Sequence, residues 1–334
     1  MLRRKRRRKP LLLLAALSAI AVVLGIACVS IGAVSLPFGE VLLALFGRGG
    51  ESGDLIVVRL RLPRIAAAML VGAALAVAGA LLQGVVRNPL ASPDLVGVTG
   101  GASVAVVGFM TAFAGYNVHW IPAVAIGGAL AAACLNYALA WRRGVSPMRL
   151  VLIGIGISTA AGALTMYLLI SGPAYLAAQV LNWMTGSVYG TNWPYVQALW
   201  PWVAVFLPLS LLFAKDLNVQ ALGEEAAIGL GSRLQFSRFS LILCSVALAG
   251  AAVGVAGTLS FIGLLAPHMA RRLVGLSYAA IVPASALLGA ILLLLADLAG
   301  RTLFSPLDVP AGVFTAGIGA PFFLYLLMKR RAAR

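Results

Sequence analysis

Apolar residues along this chain form long runs that are separated by short polar breaks. A helix needs about 20 consecutive apolar residues to cross the hydrocarbon core of a bilayer. The pattern predicts ten such spans, at residues 11–33, 62–84, 94–114, 119–141, 150–171, 194–214, 238–257, 258–275, 281–300 and 309–328. The predicted fold class is therefore all-α integral membrane, and a tight turn near Gly257 is expected to separate two shorter spans.

The composition excludes a soluble fold and leaves lipid as the solvent. Of the 334 residues, 62% are hydrophobic and 10% are charged. A soluble domain of this composition would expose most of its apolar surface to water. The net charge of +16 would suggest nucleic acid as a partner of a soluble protein, but here the basic residues lie at the ends of apolar runs. They indicate membrane topology, and no nucleic-acid partner is expected.

The distribution of Lys and Arg predicts that both termini are cytoplasmic. Basic residues favour the cytoplasmic loops of membrane proteins. With the N-terminus inside, twenty of the 25 Lys and Arg residues fall on that side, including Arg143 and Arg334, and five fall outside. The predicted organisation is a basic N-terminal segment (1–10), one transmembrane domain (11–328) and a basic tail (329–334).

Cysteine and histidine usage gives no sign of a metal site, a disulfide or a cofactor. Cys28, Cys134 and Cys244 lie inside apolar runs without a Cys-x-x-Cys pattern. The chain has two histidines, His119 and His268, and a lone histidine is more often a satisfied residue at a helix end than a ligand. We expect packing roles for these cysteines and neither a metal nor a cofactor.

Small residues recur at spacings that suit close helix packing in lipid, where neighbouring backbones approach through Gly and Ala. They are Gly72, Ala76 and Gly79, then Gly97 and Gly101, then Gly250 and Gly254. A faint internal echo accompanies them, since Val77-Ala78-Gly79 precedes Pro89 as Val255-Ala256-Gly257 precedes Pro267. Transporters often contain such repeats, although a single echo also arises by chance.

Two polar segments fall on the predicted cytoplasmic side. In the first, Gln83 to Val98, Asp94 is placed to cap a helix start, while Gln83 and Asn88 suit either a membrane boundary or the lining of a closing pore. The second, within 215–237, can form a short amphipathic helix that a partner's groove accepts. A solvated loop is the alternative for this second segment.

Three arginines stand on the predicted outer side against the orientation preference. Arg61 and Arg64 are three residues apart on one helix face, and Arg301 ends the ninth predicted span on the same side. They are predicted to form a basic docking surface; snorkelling towards lipid headgroups is the alternative. Asp297 lies four residues before Arg301, a spacing that favours a local ion pair.

Together these segments resemble the FecCD-type permeases, the membrane subunits of bacterial ABC importers for iron(III) chelates, haem and vitamin B12. The resemblance runs from Arg-Leu-Pro-Arg at 61–64 to Arg330. The stretches Arg87–Val98 and Leu181–Ser187 are most similar to ferric-citrate and ferric-siderophore subunits.

This resemblance implies the assembly and the site residues. Expected partners are a second permease subunit (identical or paralogous), two cytoplasmic ATPase subunits, and an external binding protein whose acidic residues meet the three arginines. Coupling to the ATPase is assigned to Ala221, Leu222, Gly223, Glu224, Ala227, Leu230 and Gly231. The cytoplasmic gate is assigned to Asn88, Pro89, Leu90, Pro147 and Met148, although some relatives place small hydroxyl residues where Pro147 and Met148 stand here.

The predicted function is transport of an iron(III) chelate, a siderophore or ferric citrate, across the bacterial inner membrane by alternating access. The chain has no Gly-x-x-x-x-Gly-Lys-Ser/Thr loop, so it is not expected to be an enzyme, and a partner must hydrolyse ATP. Haem or cobalamin are the alternative substrates. An ion-coupled secondary transporter is a remote alternative, because Asp297 is the acid placed inside a predicted span. An intramembrane enzyme would need a His/Asp/Glu cluster.

Overall fold

The structure is a computed structural model that describes residues 2–32, 36–48, 50–113, 120–142 and 144–331. Within these ranges it is helical apart from turns and short extended stretches. A π-helix (Leu55–Arg61) precedes α4, and a 3-10 helix (Pro93–Val96) precedes α5. The α-helices are α1 (Leu2–Ser30), α2 (Phe38–Leu45), α3 (Gly50–Asp54), α4 (Leu62–Val86), α5 (Val98–Ala112), α6 (Ile121–Ala140), α7 (Pro147–Ser171), α8 (Ala174–Thr185), α9 (Trp193–Leu212), α10 (Ala214–Gln220), α11 (Glu224–Gly229), α12 (Leu234–Ala256), α13 (Ile262–Val274), α14 (Tyr278–Thr302) and α15 (Ala311–Arg331).

Among the described residues, seven helices are long and apolar enough to cross a membrane, at Lys9–Ser30, Leu55–Val86, Ile121–Ala140, Pro147–Ser171, Trp193–Leu212, Leu234–Ala256 and Tyr278–Thr302. All seven coincide with predicted spans. Shorter apolar helices, Val98–Ala112 and Ala311–Tyr325, occupy two of the other three. The count of ten crossings and the side on which the termini lie stay predictions.

Helix α4 lies at the centre of the bundle, against α12, α13 and α14. Its glycines allow this packing: a Cβ on Gly72 would lie 2.3 Å from the carbonyl oxygen of Gly289, and one on Gly79 would lie 1.9 Å from that of Gly263. Both separations are far below van der Waals contact, so only glycine fits at these positions. The small-residue packing predicted for Gly72 and Gly79 is confirmed.

The expected tight turn near Gly257 is instead an extended break. Helix α12 ends at Ala256, residues 257–261 have no helical structure, and α13 begins at Ile262 with 13 residues. At about 1.5 Å per residue, α13 is about 20 Å long, which is shorter than the thickness of the hydrocarbon core. The predicted span 258–275 contains this helix, which begins at Ile262, four residues later than predicted, and its crossing of the membrane stays a prediction.

Some elements lie outside the predicted spans, and some predictions lie outside the described residues. Helices α2, α3 and α8 were not expected, because they are shorter than a membrane crossing. The ends of predicted spans at 33, 114 and 119, together with His119, Arg143 and Arg334, fall outside the residues that the structure describes.

Candidate functional site

A buried ion cluster lies where α4 begins, at the end of the bundle that we call the Arg64 end. Arg64 donates to Asp297 on α14 at 2.9 Å from Nε and 2.8 Å from Nη2. It also makes a two-pronged pair with Asp308, at 2.7 Å and 2.9 Å. The ring of Tyr189 lies 5.4 Å from the guanidinium carbon of Arg64. One arginine thus joins α4, α14 and the loop before α15.

The other two arginines that were predicted on the outer side, Arg61 and Arg301, belong to the same cluster. Arg301 donates to the carbonyl of Cys28 at 2.7 Å and lies 3.7 Å from Asp297, so the predicted ion pair between Asp297 and Arg301 is confirmed. Arg61 donates to the carbonyl of Val29 at 2.6 Å. We call Arg61, Arg64, Asp297, Arg301 and Asp308 the Arg64 cluster.

The three arginines lie close together, and each donates hydrogen bonds to other groups of the same chain. The exposed fractions of the side chains are 14% for Arg64, 8% for Arg301 and 2% for Asp297. Snorkelling towards lipid headgroups therefore does not describe them. Their role in docking stays a prediction, and a docking protein would have to compete with Asp297 and Asp308 for Arg64.

The segment predicted to couple to an ATPase lies at the opposite end of the bundle, where α4 finishes. It forms two short helices, α10 and α11, joined by a turn at Ala221, Leu222 and Gly223. Gly223 has a φ of +116°, outside the region that other residues adopt. The predicted short helix in this segment is thus divided in two, and its second part, α11, begins at Glu224 directly after Gly223.

The surface of this segment is apolar and exposed. Leu222, Ile228 and Leu230 are 68%, 61% and 67% exposed, while Ala227 is buried against the bundle. Gly231 also has a positive φ, +78°, and ends the turn after α11. Exposed leucines on a rigid turn favour a protein partner over a solvated loop.

Glu224 joins this segment to both parts of the predicted gate. Its carboxylate accepts from Arg87, which ends α4, at 3.1 Å, and from Arg238 on α12 at 2.5 Å. Arg238 is 2% exposed and also donates to the carbonyl of Val145 at 2.9 Å. Val145 lies in the turn before α7. We call Glu224, Arg87, Arg238 and Val145 the Glu224 junction, and the end of the bundle that contains it the Glu224 end.

The predicted gate residues lie in the two turns that the Glu224 junction connects. The side chain of Asn88 accepts from the backbone N–H of Leu90 at 3.0 Å, which fixes the turn around Pro89. Pro147 is the first residue of α7, and Met148 is 68% exposed. Sequence reasoning did not find Arg238 or Val145, because their partners are distant along the chain.

Gln83 makes structural contacts between α4 and α13 and also borders a cavity of about 520 Å³ at this end. It is 2% exposed, donates to the carbonyl of Gly263 at 3.1 Å and accepts from Arg271. Its amide satisfies a carbonyl in the first turn of α13 and a guanidinium further along that helix. These contacts join α4 to α13, and the pore-lining alternative for Gln83 stays a prediction.

A polar and aromatic cavity of about 180 Å³ opens beside α8. It is lined in part by Gln179, Asn182, Ser187, Tyr189 and Thr191. Tyr189, which also contacts Arg64, places the cavity near the Arg64 end. The segment 181–187, singled out from the sequence, supplies part of this lining.

Comparison with known proteins defines the class of this chain as a membrane permease. Residues 20–329 match the FecCD transport family, which is most of the chain. The protein belongs to the FecCD transport family.

Two relatives and one solved structure give this assignment detail. The chain is 52% identical to the "Probable siderophore transport system permease protein YfhA" of Bacillus subtilis, over 89% of this chain and 88% of that one. It is 47% identical to the achromobactin transport system permease protein CbrC of Dickeya dadantii, over 92% and 88%. A solved structure described as a metal-chelate type ABC transporter in an inward-facing conformation has a TM-score of 0.86 and 28% identity, with 95% of this chain and 99% of that chain covered.

Proposed function

We propose that this chain is the permease subunit of an ATP-binding-cassette importer that moves an iron(III) chelate across the bacterial inner membrane. The proposed mechanism depends on the Glu224 junction. An exposed apolar segment at one end of the bundle is tied through Glu224 to Arg87 and through Arg238 to Val145. A partner that displaces this segment pulls on both gate turns at once.

The partner at this segment is a cytoplasmic ATPase subunit. The chain has no phosphate-binding loop of its own, so the energy for transport comes from another subunit. Leu222, Ile228 and Leu230 offer that subunit an apolar contact, and the Glu224 end then faces the cytoplasm. This orientation agrees with the excess of Lys and Arg predicted for that side.

The substrate class is an iron(III) chelate, a siderophore or ferric citrate. The relatives support it, since their names specify siderophore and achromobactin transport, and the Fe(3+) dicitrate transport system permease protein FecD of Escherichia coli is 43% identical over 85% of this chain. The cavity beside α8 presents amide and hydroxyl groups, which suit an oxygen-rich chelate entering from the Arg64 end.

The Arg64 end is the docking face for an external binding protein. Asp308 is 23% exposed, so the pair that it forms with Arg64 can be reached from outside the bundle. Carboxylates on a binding protein can replace Asp308 as the partner of Arg64, because both present the same planar acceptor to the guanidinium.

The second subunit of the pore packs against α7, which carries several large apolar side chains that no other helix in the described ranges covers. Leu152, Ile155 and Met166 are 59%, 46% and 55% exposed. A second permease, identical or paralogous, buries this face and places the pore between the two subunits.

The test is reconstitution of the permease with its ATPase and binding protein in proteoliposomes. ATP-dependent uptake of 55Fe-labelled siderophore or ferric citrate is expected, and haem or cobalamin should fail to compete. Gly223→Pro should stop uptake while the permease stays folded, because proline cannot adopt the positive φ at this position. Gly47→Pro is a matched control, since Gly47 is an exposed glycine with a φ of +71° in the turn after α2 and lies outside both the Glu224 junction and the lining of the cavity beside α8.

Two outcomes would overturn the proposal. Uptake driven by a proton or sodium gradient without ATP would support a secondary transporter instead. Normal ATP-driven uptake by Gly223→Pro would remove the coupling role from this segment while leaving the permease assignment intact.

A further inference from the structure

A second polar cavity, of about 260 Å³, lies inside the bundle between α5, α7 and the extended segment 257–261. Its lining is rich in hydroxyl groups and contains one charged residue, Asp94. The lining residues that carry polar side chains are Asp94, Thr99, Ser103, Ser158, Thr165, Thr258 and Ser260. The proposed transport function does not use this cavity.

Asp94 has no basic partner among the residues that the structure describes. Its carboxylate accepts from the hydroxyl of Ser92 at 3.4 Å and from that of Thr99. A carboxylate inside a membrane protein is costly unless it is neutralised by a proton, a cation or an ion pair. The sequence suggested a helix cap for Asp94, and it does lie in the first turn of the 3-10 helix Pro93–Val96, but its side chain also borders the cavity.

The hydroxyl groups around Asp94 leave their acceptor sides available. Ser158 donates to the carbonyl of Asp94 at 2.8 Å, Thr165 donates to that of Ala161 at 2.8 Å, and Thr258 donates to that of Met184. A hydroxyl has one donor and two acceptor lone pairs. Because these three donors are used on backbone carbonyls, the oxygens can present only lone pairs to the cavity.

The backbone around the cavity has the form that transporters use for ion sites. Residues 257–261 are non-helical between α12 and α13, and Thr258, Leu259 and Ser260 of this segment line the cavity. Broken helices expose backbone carbonyls that coordinate cations within a membrane.

We propose that this cavity binds a monovalent alkali cation, Na⁺ in the first instance. Oxygen ligands with one carboxylate suit a hard cation, and a single positive charge neutralises the single negative charge of Asp94. We call the cavity the Asp94 site. The proposal is independent of the transport function, since the purified chain by itself can be tested for cation binding.

The experiment is binding of ²²Na⁺ to the full-length chain in detergent, together with its melting temperature in NaCl, KCl and choline chloride at equal ionic strength. Wild type is expected to retain ²²Na⁺ and to melt on the order of 2–4 °C higher in NaCl than in choline chloride. Asp94→Asn, which keeps the shape of the side chain, should lose both effects. Ser103→Ala should weaken ²²Na⁺ binding several-fold.

Glu40→Gln is the matched control, because Glu40 is an exposed acid on α2 far from the cavity, and both effects should persist in it. The proposal is overturned if wild type retains no ²²Na⁺ and melts at the same temperature in all three salts, which would mean that Asp94 is neutralised by a proton. It is also overturned if Asp94→Asn binds ²²Na⁺ as wild type does. Should Asp94→Asn fail to fold, ²²Na⁺ binding to wild type and to Ser103→Ala still decides whether the cavity binds the cation.

Discussion

The two ends of the bundle use the same chemistry, arginine paired with carboxylate, in opposite environments. In the Arg64 cluster, Asp297 is 2% exposed and faces both Arg64 and Arg301. In the Glu224 junction, Glu224 is 40% exposed and its partner Arg87 is 39% exposed. Removing one partner of a buried pair leaves an uncompensated charge, whereas an exposed pair exchanges its partner for water.

This difference separates a fixed end from an adjustable end. The Arg64 cluster holds α4, α14 and the loop before α15 in one arrangement. The Glu224 junction connects elements that must move relative to one another in the proposed mechanism, and its weak outer pair, Glu224 with Arg87, can break and re-form at low cost. Arg238, which is buried, is the exception at the adjustable end, and it ties Glu224 to the turn before α7.

The largest effect is expected for Asp297→Asn. The substitution keeps the shape but removes the negative charge between Arg64 and Arg301, so it should lower the free energy of unfolding by about 3–5 kcal/mol. SDS titration of the purified permease in mixed micelles measures this loss. Glu40→Gln, at an exposed acid on α2, is the control and should leave stability unchanged. Equal stability of Asp297→Asn and wild type would show that the cluster does not fix this end.

Arg238→Met should have the next largest effect, mainly on transport. Methionine places an apolar side chain of similar length in this buried position but leaves the carbonyl of Val145 without its donor. We expect a loss of about 1–3 kcal/mol in stability and uptake uncoupled from ATP hydrolysis. Arg233→Met, at an exposed arginine just before α12, is the control. Coupled, wild-type uptake by Arg238→Met would contradict the proposed link to the gate.

Asp308→Asn is expected to have a moderate effect and tests docking. Because Asp308 is 23% exposed and Arg64 keeps Asp297, stability should fall by about 1 kcal/mol. If a binding protein's carboxylates pair with Arg64, the variant should bind that protein more tightly, and this affinity should become more sensitive to salt. Surface plasmon resonance at two salt concentrations measures both quantities. A stability loss with unchanged affinity would make the cluster purely structural.

Arg87→Gln should have the smallest effect on stability, below about 1 kcal/mol, because both partners of the Arg87–Glu224 pair are well exposed. The comparison between the two ends predicts that its melting temperature matches wild type while its ATP-driven uptake slows. Lys215→Gln, also exposed near this end, should change neither. A stability loss as large as that of Asp297→Asn would remove the distinction between a fixed and an adjustable end.

The membrane class, the family and most of the long helices were predictable from the order of residues alone. Runs of about 20 apolar residues are a local property, since the bilayer requires every backbone polar group to be satisfied within its own helix. The predicted coupling and gate segments came from the resemblance to the FecCD-type permeases. The packing of Gly72 and Gly79 was also predictable, because in lipid small residues mark where helices approach.

Which charges pair, and how far the break near Gly257 extends, depended on contacts between distant parts of the chain. Arg64 and Asp308 are separated by 244 residues, and Arg238 and Val145 by 93, so no local pattern indicates that they meet. An interruption near Gly257 was predictable, but the length of the non-helical stretch at 257–261 depends on contacts from elsewhere: a Cβ on Gly257 would lie 1.9 Å from the carbonyl of Trp183. Local hydrophobicity sets which segments enter the membrane, whereas long-range contacts decide how their polar groups are satisfied there.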